Sequence, residues 1–244
     1  VIRTPKTTAS LIVEALQKLG IEKLMVEGGQ HILSMFLTEG IADHIRLAMA
    51  PFFVGDSSAP RLPVEGRFYW NKDNRLVLEK VENLGGTAVM HFASQRAIDL
   101  GYMSEALDEA RKSTPCATCY CVGAIVVAAT GNVYKGYTHE TSTRNHAEEE
   151  AIIKAEAAGE TLKGAVIYST MEPCSSRSSK PVSCSQLIIE KGFSRAVYAA
   201  REPDRFVKGE GDEILRAAGV QVSVLNELAG RALEIACKNW QDKN

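Results

Sequence analysis

The chain predicts an α/β fold in two parts: a three-layer α/β/α body over residues 96–244, preceded by a smaller α/β part over residues 1–95. Three observations predict it. Short apolar runs alternate with helical stretches along the whole length. The helical stretches stop at Gly20, Gly40, Gly159, Gly192 and Gly219, and glycine is the residue that most easily takes the left-handed position after a helix. Hydrophobic residues make up 45% of the 244 and charged residues 24%, enough apolar material to fill a core.

The first part opens with a helix over Thr8–Leu19. A strand is expected at Glu22–Val26, turned by Glu27-Gly28-Gly29 into a second helix over Gln30–Thr38. His44–Ala50 alternates Ile45, Leu47 and Met49 against His44, Arg46 and Ala48, the period of a strand. Arg75–Val81 and Thr87–Phe92 read as two further strands around the Gly85-Gly86 turn. The join to the second part is expected near Ala93 to Leu100.

In the second part, Met103, Leu107 and Ala110 lie at helical spacing and predict a helix over Met103–Lys112. Val122–Thr130 and Val133–Tyr137 flank Gly131-Asn132 and predict a hairpin. A helix over His146–Ala158, a strand over Ala165–Thr170 and a helix over Cys184–Lys191 follow. Then come a strand over Ala196–Ala200, a helix over Gly211–Ala218, a strand over Val220–Leu225 and a last helix over Leu228–Trp240. Strand-helix-strand repeats imply parallel pairing through right-handed crossovers, hence a five-stranded layer between helices.

A formal net charge of −2 argues against a strongly basic nucleic-acid surface. No apolar run approaches the ~18 residues of a membrane span. The first residue is Val1 rather than methionine, which is read as a processed, trimmed or partial start. The six cysteines lie in a long chain with an adequate core and cluster near a histidine, so reduced thiols in a cytoplasmic setting are expected.

The chemistry is carried by His146-Ala147-Glu148, then Pro173-Cys174, then Cys184. One imidazole and two thiolates suit a tetrahedral Zn²⁺ that keeps its fourth position for water. Glu148 lies two residues beyond the histidine, placed to move protons rather than to bind metal. This set of parts fits hydrolytic deamination of an amine-bearing ring carbon. A four-ligand structural zinc site is the nearest rival. Where the P-C-x-x-C pattern of zinc deaminases has two residues between its cysteines, this chain has nine, Ser175 to Ser183. Cys116-x-x-Cys119-x-Cys121 has no adjacent histidine or fourth cysteine, so a second metal there is the minor reading. Cys237 is read as a buried packing residue.

The stretch from Met171-Glu172-Pro173-Cys174 to Cys184 resembles the pyrimidine deaminases of riboflavin biosynthesis, of cytidine-deaminase-like fold. Val122-Gly123-Ala124-Ile125, Asn145-His146-Ala147-Glu148 and Glu202-Pro203-Asp204-Arg205-Phe206-Val207-Lys208 extend the resemblance over about residues 100–225. Cys121-Val122-Gly123 and Glu202-Pro203-Asp204 depart from the common bacterial pattern and look closer to the fungal type. The resemblance implies a phosphorylated diaminopyrimidinone substrate, with the fungal likeness favouring a ribitylamino over a ribosylamino side chain. It implies Lys180 as the first substrate contact, with Asn145, Arg177, Asp204 and Lys208 as further ones.

Leu24-Met25-Val26-Glu27-Gly28-Gly29, Glu39-Gly40-Ile41-Ala42-Asp43-His44 and Pro51-Phe52-Phe53-Val54-Gly55 resemble the second half of the riboflavin-pathway reductase domain, of dihydrofolate-reductase-like fold. The resemblance implies a nicotinamide nucleotide near Gly28 and Gly29, so NADPH is carried as a second cofactor. A longer parent chain or a scaffolding remnant would each account for the half domain. The leading expectation is a zinc pyrimidine deaminase; a bifunctional deaminase–reductase is the alternative. A deaminase of nucleic acids or free nucleosides ranks below both. Homodimeric assembly is left open.

Overall fold

The computed structural model describes residues 7–62, 66–201 and 209–238 and divides into two compact units, Val1–Ile98 and Asp99–Asn244. In the first unit, helix α1 (Ala9–Gln17) is capped by Thr8, whose Oγ1 accepts from the Leu11 N–H at 3.2 Å. Helix α2 (Gln30–Glu39) starts behind Gly29 and ends at Gly40, whose φ of 67° is the left-handed stop. Strands β1 (His44–Met49), β2 (Val77–Leu84) and β3 (Thr87–Ala93) form an antiparallel sheet in the order β1-β3-β2. Gly85 and Gly86, both at positive φ, close the β2–β3 hairpin.

One expected element of this unit is absent. Residues 22–26 are not a strand. No strand among the described residues pairs with them, and an unpaired strand leaves its N–H and C=O groups without partners. Met25 is 79% exposed, so no burial compensates.

Helix α3 (Gln95–Ala110) begins eight positions before its expected start at Met103. The Ser94 Oγ accepts from the Ala97 N–H at 3.1 Å and caps it. The expected join near 93–100 is therefore largely helical, and the division between the units falls inside α3. The periodic signal at Met103 marks only where the helix enters a core, not where it starts.

The second unit contains β4 (Gly123–Val127), β5 (Val133–Tyr137), α4 (Ala147–Ala157), β6 (Val166–Met171), α5 (Cys184–Glu190), β7 (Arg195–Ala200), α6 (Gly211–Ala217), β8 (Gln221–Val224) and α7 (Ala229–Ala236). The sheet order is β5-β4-β6-β7-β8. Strands β6, β7 and β8 are parallel, as the strand-helix-strand pattern predicts. The β4–β5 hairpin is antiparallel as expected, and the β4–β6 pair is antiparallel too, which corrects the parallel pairing expected across the helical connection. The reason is the hairpin: β5 reverses the chain, and β6 then inserts beside β4 rather than beside β5.

Alternate residues of the central strands feed two cores. Ala124, Val126, Ile167, Ala196 and Tyr198 pack with Ala147, Ala151, Ile188 and Leu215 of α4, α5 and α6. Ile125, Tyr168 and Val197 pack on the other face with Met103 and Leu107 of α3 and Ala232 and Ala236 of α7. Asp99 ties α3 to the sheet, pairing with Arg195 at 2.6 Å and accepting from the Tyr168 hydroxyl at 3.0 Å. Two glycines set the layer spacing. A Cβ on Gly123 would strike the α3 backbone at Ala106 and Ala110, and one on Gly136 would lie 2.5 Å from Ala147 O and Ala151 N of α4. Among the described residues no helix is long and apolar enough to cross a membrane.

Candidate metal centre and active site

Two helix starts and one strand end build the site. His146 occupies the N-cap position of α4 in extended conformation, so its ring leaves the helix axis. Cys184 is the first residue of α5, fixed by Ser183, whose Oγ accepts from the Gln186 N–H at 3.1 Å. Cys174 lies in the loop just after β6. It is pinned by Ser185, whose N–H and hydroxyl donate to the Cys174 carbonyl at 3.2 and 3.0 Å.

His146 Nδ1 lies 3.6 Å from Cys174 Sγ and 3.5 Å from Cys184 Sγ. The Cys184 N–H also donates to Cys174 Sγ at 3.4 Å. Metal bonds of about 2.1 Å to nitrogen and 2.3 Å to sulfur, at a tetrahedral angle, hold the two atoms about 3.6 Å apart. The donor set therefore fits zinc in both chemistry and spacing. Of the two thiols, Cys174 ionises first. Hydrogen bonding from Cys184 and the nearby imidazole holds it down to about 4, while the adjacent Cys174 sulfur and burial push Cys184 up. Burial alone would lower His146, but the adjacent Cys174 thiolate outweighs it and the imidazole is raised.

Glu148, the second residue of α4, is 3% exposed and points at the same cluster. The Ser169 hydroxyl donates to its Oε1 at 3.0 Å, and the Cys184 thiol donates to its Oε2 at 3.4 Å. Burial raises its carboxyl above the ordinary range, and His146 and Ser169 oppose the rise. Its neighbours serve other purposes. Glu150 accepts from the Thr141 N–H at 2.9 Å and holds the loop before His146. Glu149 receives Arg177 at 3.0 Å and Lys180 at 2.6 Å, anchoring the nine-residue loop between the cysteines.

A cavity of about 650 Å³ opens over the cluster, bordered by His146, Glu148, Cys174 and Arg177 and by Glu172 and Ser179. Its size suits a small-molecule ligand. Lys180 does not border this cavity; its ammonium is spent on Glu149 and on Asn145 Oδ1 at 2.6 Å. Asn145 is buried beneath it. Arg177 does border the cavity, with its guanidinium donating to Glu149 and to the Val182 carbonyl. Asp204 and Lys208 lie outside the described residues. Gly28 and Gly29 sit at the start of α2, where a Cβ on Gly28 would meet Ile32 at 3.0 Å and one on Gly29 would meet nothing.

Sequence reasoning missed Glu172 and Ser179. The N–H of Asp212 donates to Glu172 Oε1 at 2.9 Å, at the start of α6, while Glu172 Oε2 and the Ser179 hydroxyl are buried with no hydrogen-bond partner among the described residues. The available signal was a carboxylate directly after the apolar end of β6. The cysteine reading is also corrected. Cys116 and Cys119 are joined in a disulfide, since a two-residue separation brings their sulfurs together. Cys121 leaves that segment for the core, where burial raises its thiol, and Cys237 is half-buried rather than buried.

Residues 97–200 match the cytidine and deoxycytidylate deaminase zinc-binding region, and residues 2–90 match the RibD C-terminal domain. Over 123 residues the chain is 48% identical to the diaminohydroxyphosphoribosylamino-pyrimidine deaminase of Schizosaccharomyces pombe, covering 50% of this chain and 30% of that protein. It is 41% identical over 133 residues to riboflavin biosynthesis protein RibD of Aquifex aeolicus, covering 53% and 35%. The chain thus spans about a third of the length of these curated relatives. Among solved structures, the Rib2 deaminase of Aspergillus oryzae is similar with a TM-score of 0.51 at 30% identity, covering 59% of this chain and 93% of that one. A deaminase/reductase of Thermotoga maritima has the same TM-score and identity, covering 57% and 39%. The chain belongs to the riboflavin-biosynthesis pyrimidine deaminases, zinc-binding members of the cytidine-deaminase family, here preceded by a RibD C-terminal domain.

Proposed function

We propose that this chain hydrolyses the 2-amino group from a 2,5-diamino-6-(ribitylamino or ribosylamino)pyrimidin-4-one 5′-phosphate, releasing ammonia. The observation that carries the proposal is Glu148: a buried carboxylate held by Ser169 on one oxygen and turned toward the His146–Cys174–Cys184 set on the other. Zinc held by those three side chains supplies a Lewis acid beside which water is a nucleophile at neutral pH. With zinc held there, Cys184 would ligate as a thiolate and would no longer donate to Glu148 Oε2, leaving that oxygen to accept a proton from water. Glu148 would pass that proton to the ring nitrogen, where it stays, and would then carry the second proton, from the hydroxyl newly attached to the ring carbon, to the departing amine, so that the C–N bond breaks, ammonia leaves and a carbonyl remains. Glu172 Oε2 and the Ser179 hydroxyl offer unused polar groups to the ring and its side chain. Arg177, Lys180 and Asn145 shape the phosphate-facing loop, with Asp204 and Lys208 as further contacts. The printed name of the S. pombe relative supports this substrate class. Two parts, 1–95 and 96–244, in a cytoplasmic setting complete the reading.

Comparing the ribosylamino and ribitylamino substrates by ammonia release tests it, with Glu148→Gln as the control. The variant is expected to keep its zinc and to lose roughly 10²–10⁴-fold in rate. A fully active variant overturns the mechanism.

A second reading adds NADPH-dependent reduction in the first unit. It is favoured by the match of residues 2–90 and by the glycines that open α2. Titration with NADPH, followed by nucleotide fluorescence, is expected to saturate in the wild type and weaken in Gly29→Val. No saturable NADPH binding to the full chain removes this reading.

A further inference from the structure

We infer that Cys116, Cys119 and His139 form a second, redox-dependent site for a soft divalent cation such as zinc, beside the first. The sequence separates the histidine from the cysteines by a whole β-hairpin, and the fold returns it: the ligand atoms of the three residues lie within 4.8 Å of one another. Two thiolates and an imidazole are the donors that zinc takes in tetrahedral sites, and a two-residue cysteine spacing is a common one for them. Three protein ligands leave one position open.

The backbone at the histidine gives an independent indication. Among the described residues His139 is the only non-glycine at positive φ, 63°, a conformation that residues with side chains rarely adopt. Its N–H is tied to the Asn145 carbonyl at 3.1 Å, the residue preceding His146. The surrounding structure therefore enforces a strained position that places this ring against the cysteine pair. Cys119 and His139 also border the cavity of the first site, so the open position is accessible from it.

As the sulfurs stand they are joined. A dithiol reductant supplies two electrons and two protons to break the Cys116–Cys119 bond, itself becoming a disulfide. The two freed thiols then lose their protons as the cation binds. Reoxidation by a disulfide oxidant of the glutathione class reverses the exchange and releases the cation.

The test is metal counting on the full chain after zinc loading and desalting, by inductively coupled plasma mass spectrometry. The reduced wild type is expected to carry about two zinc ions per chain and the oxidised one about one. His139→Ala and Cys116→Ser/Cys119→Ser, both reduced, are expected to fall to about one. Cys174→Ser, reduced, is expected to lose the other ion, which separates failure of this site from failure of the first. Cobalt(II) titration of reduced protein should show two thiolate-to-metal absorption phases, with one missing in His139→Ala. A single ion in the reduced wild type, or two ions persisting in His139→Ala, overturns the inference. If the substituted chains do not fold, the reduced-against-oxidised comparison of the wild type decides alone.

Discussion

Ser169 shows how one hydroxyl can tune the reacting carboxylate. It donates to Glu148 Oε1 and so favours the charged form, opposing the effect of burial. Removing it in Ser169→Ala is expected to raise the Glu148 pKa. The base is active as the carboxylate, so activity would fade at a higher pH on the acid side. The profile of kcat/KM against pH should show its acid limb displaced upward while the zinc content stays unchanged. An unmoved limb would mean that Ser169 only fills space. The role proposed for Glu148 was legible two residues after the histidine. Its hydroxyl partner lies 21 positions away on β6, out of reach of any local pattern.

At the scale of elements, the site depends on how closely α4 lies on β5. Gly136 permits that approach, and α4 carries both His146 and Glu148. Gly136→Ala is expected to force the layers apart and to cost about 1–3 kcal/mol, as overpacking of a tight core does. Differential scanning calorimetry should register a fall of roughly 2–10 °C in Tm. Weaker zinc retention on dialysis should accompany it. The stops of α1, α2, α4, α5 and α6 were easy to read because a glycine at positive φ follows each, whereas α3 and α7 end without one. Helix starts were less so: α3 begins at a serine cap eight residues ahead of its apolar spacing. The strand expected at residues 22–26 failed because composition cannot supply a pairing partner.

For the whole second unit, metal and folding are linked. Ligands from α4, the β6 loop and α5 converge on one point, so an ion bound there joins three segments of the fold. Chelation is expected to lower the Tm of this unit and to abolish ammonia release, and added zinc should restore both. Acid should act in the same direction. Zinc needs two thiolates and a neutral imidazole, so its affinity falls as pH falls and the ligands take up protons. Metal release followed by a colorimetric zinc indicator should therefore precede the loss of helical circular dichroism as pH is lowered. Retention of zinc after complete loss of helix would contradict the linkage.

The sequence by itself determined the α/β class and pointed to the His-Cys-Cys donor set and to the glutamate proposed as the acid–base group, because each rests on short-range spacing: period two, period 3.6, or a two-residue step. It also carried the family resemblance, through the residues around those donors. Only the tertiary structure decided what lies across the site. It set Lys180 and Arg177 against Glu149, left Glu172 Oε2 and the Ser179 hydroxyl unused in the cavity wall, and brought His139 to Cys116 and Cys119. These are encounters between residues separated by whole strands and helices. They depend on sheet order and on where a loop is tied, and local periodicity contains neither.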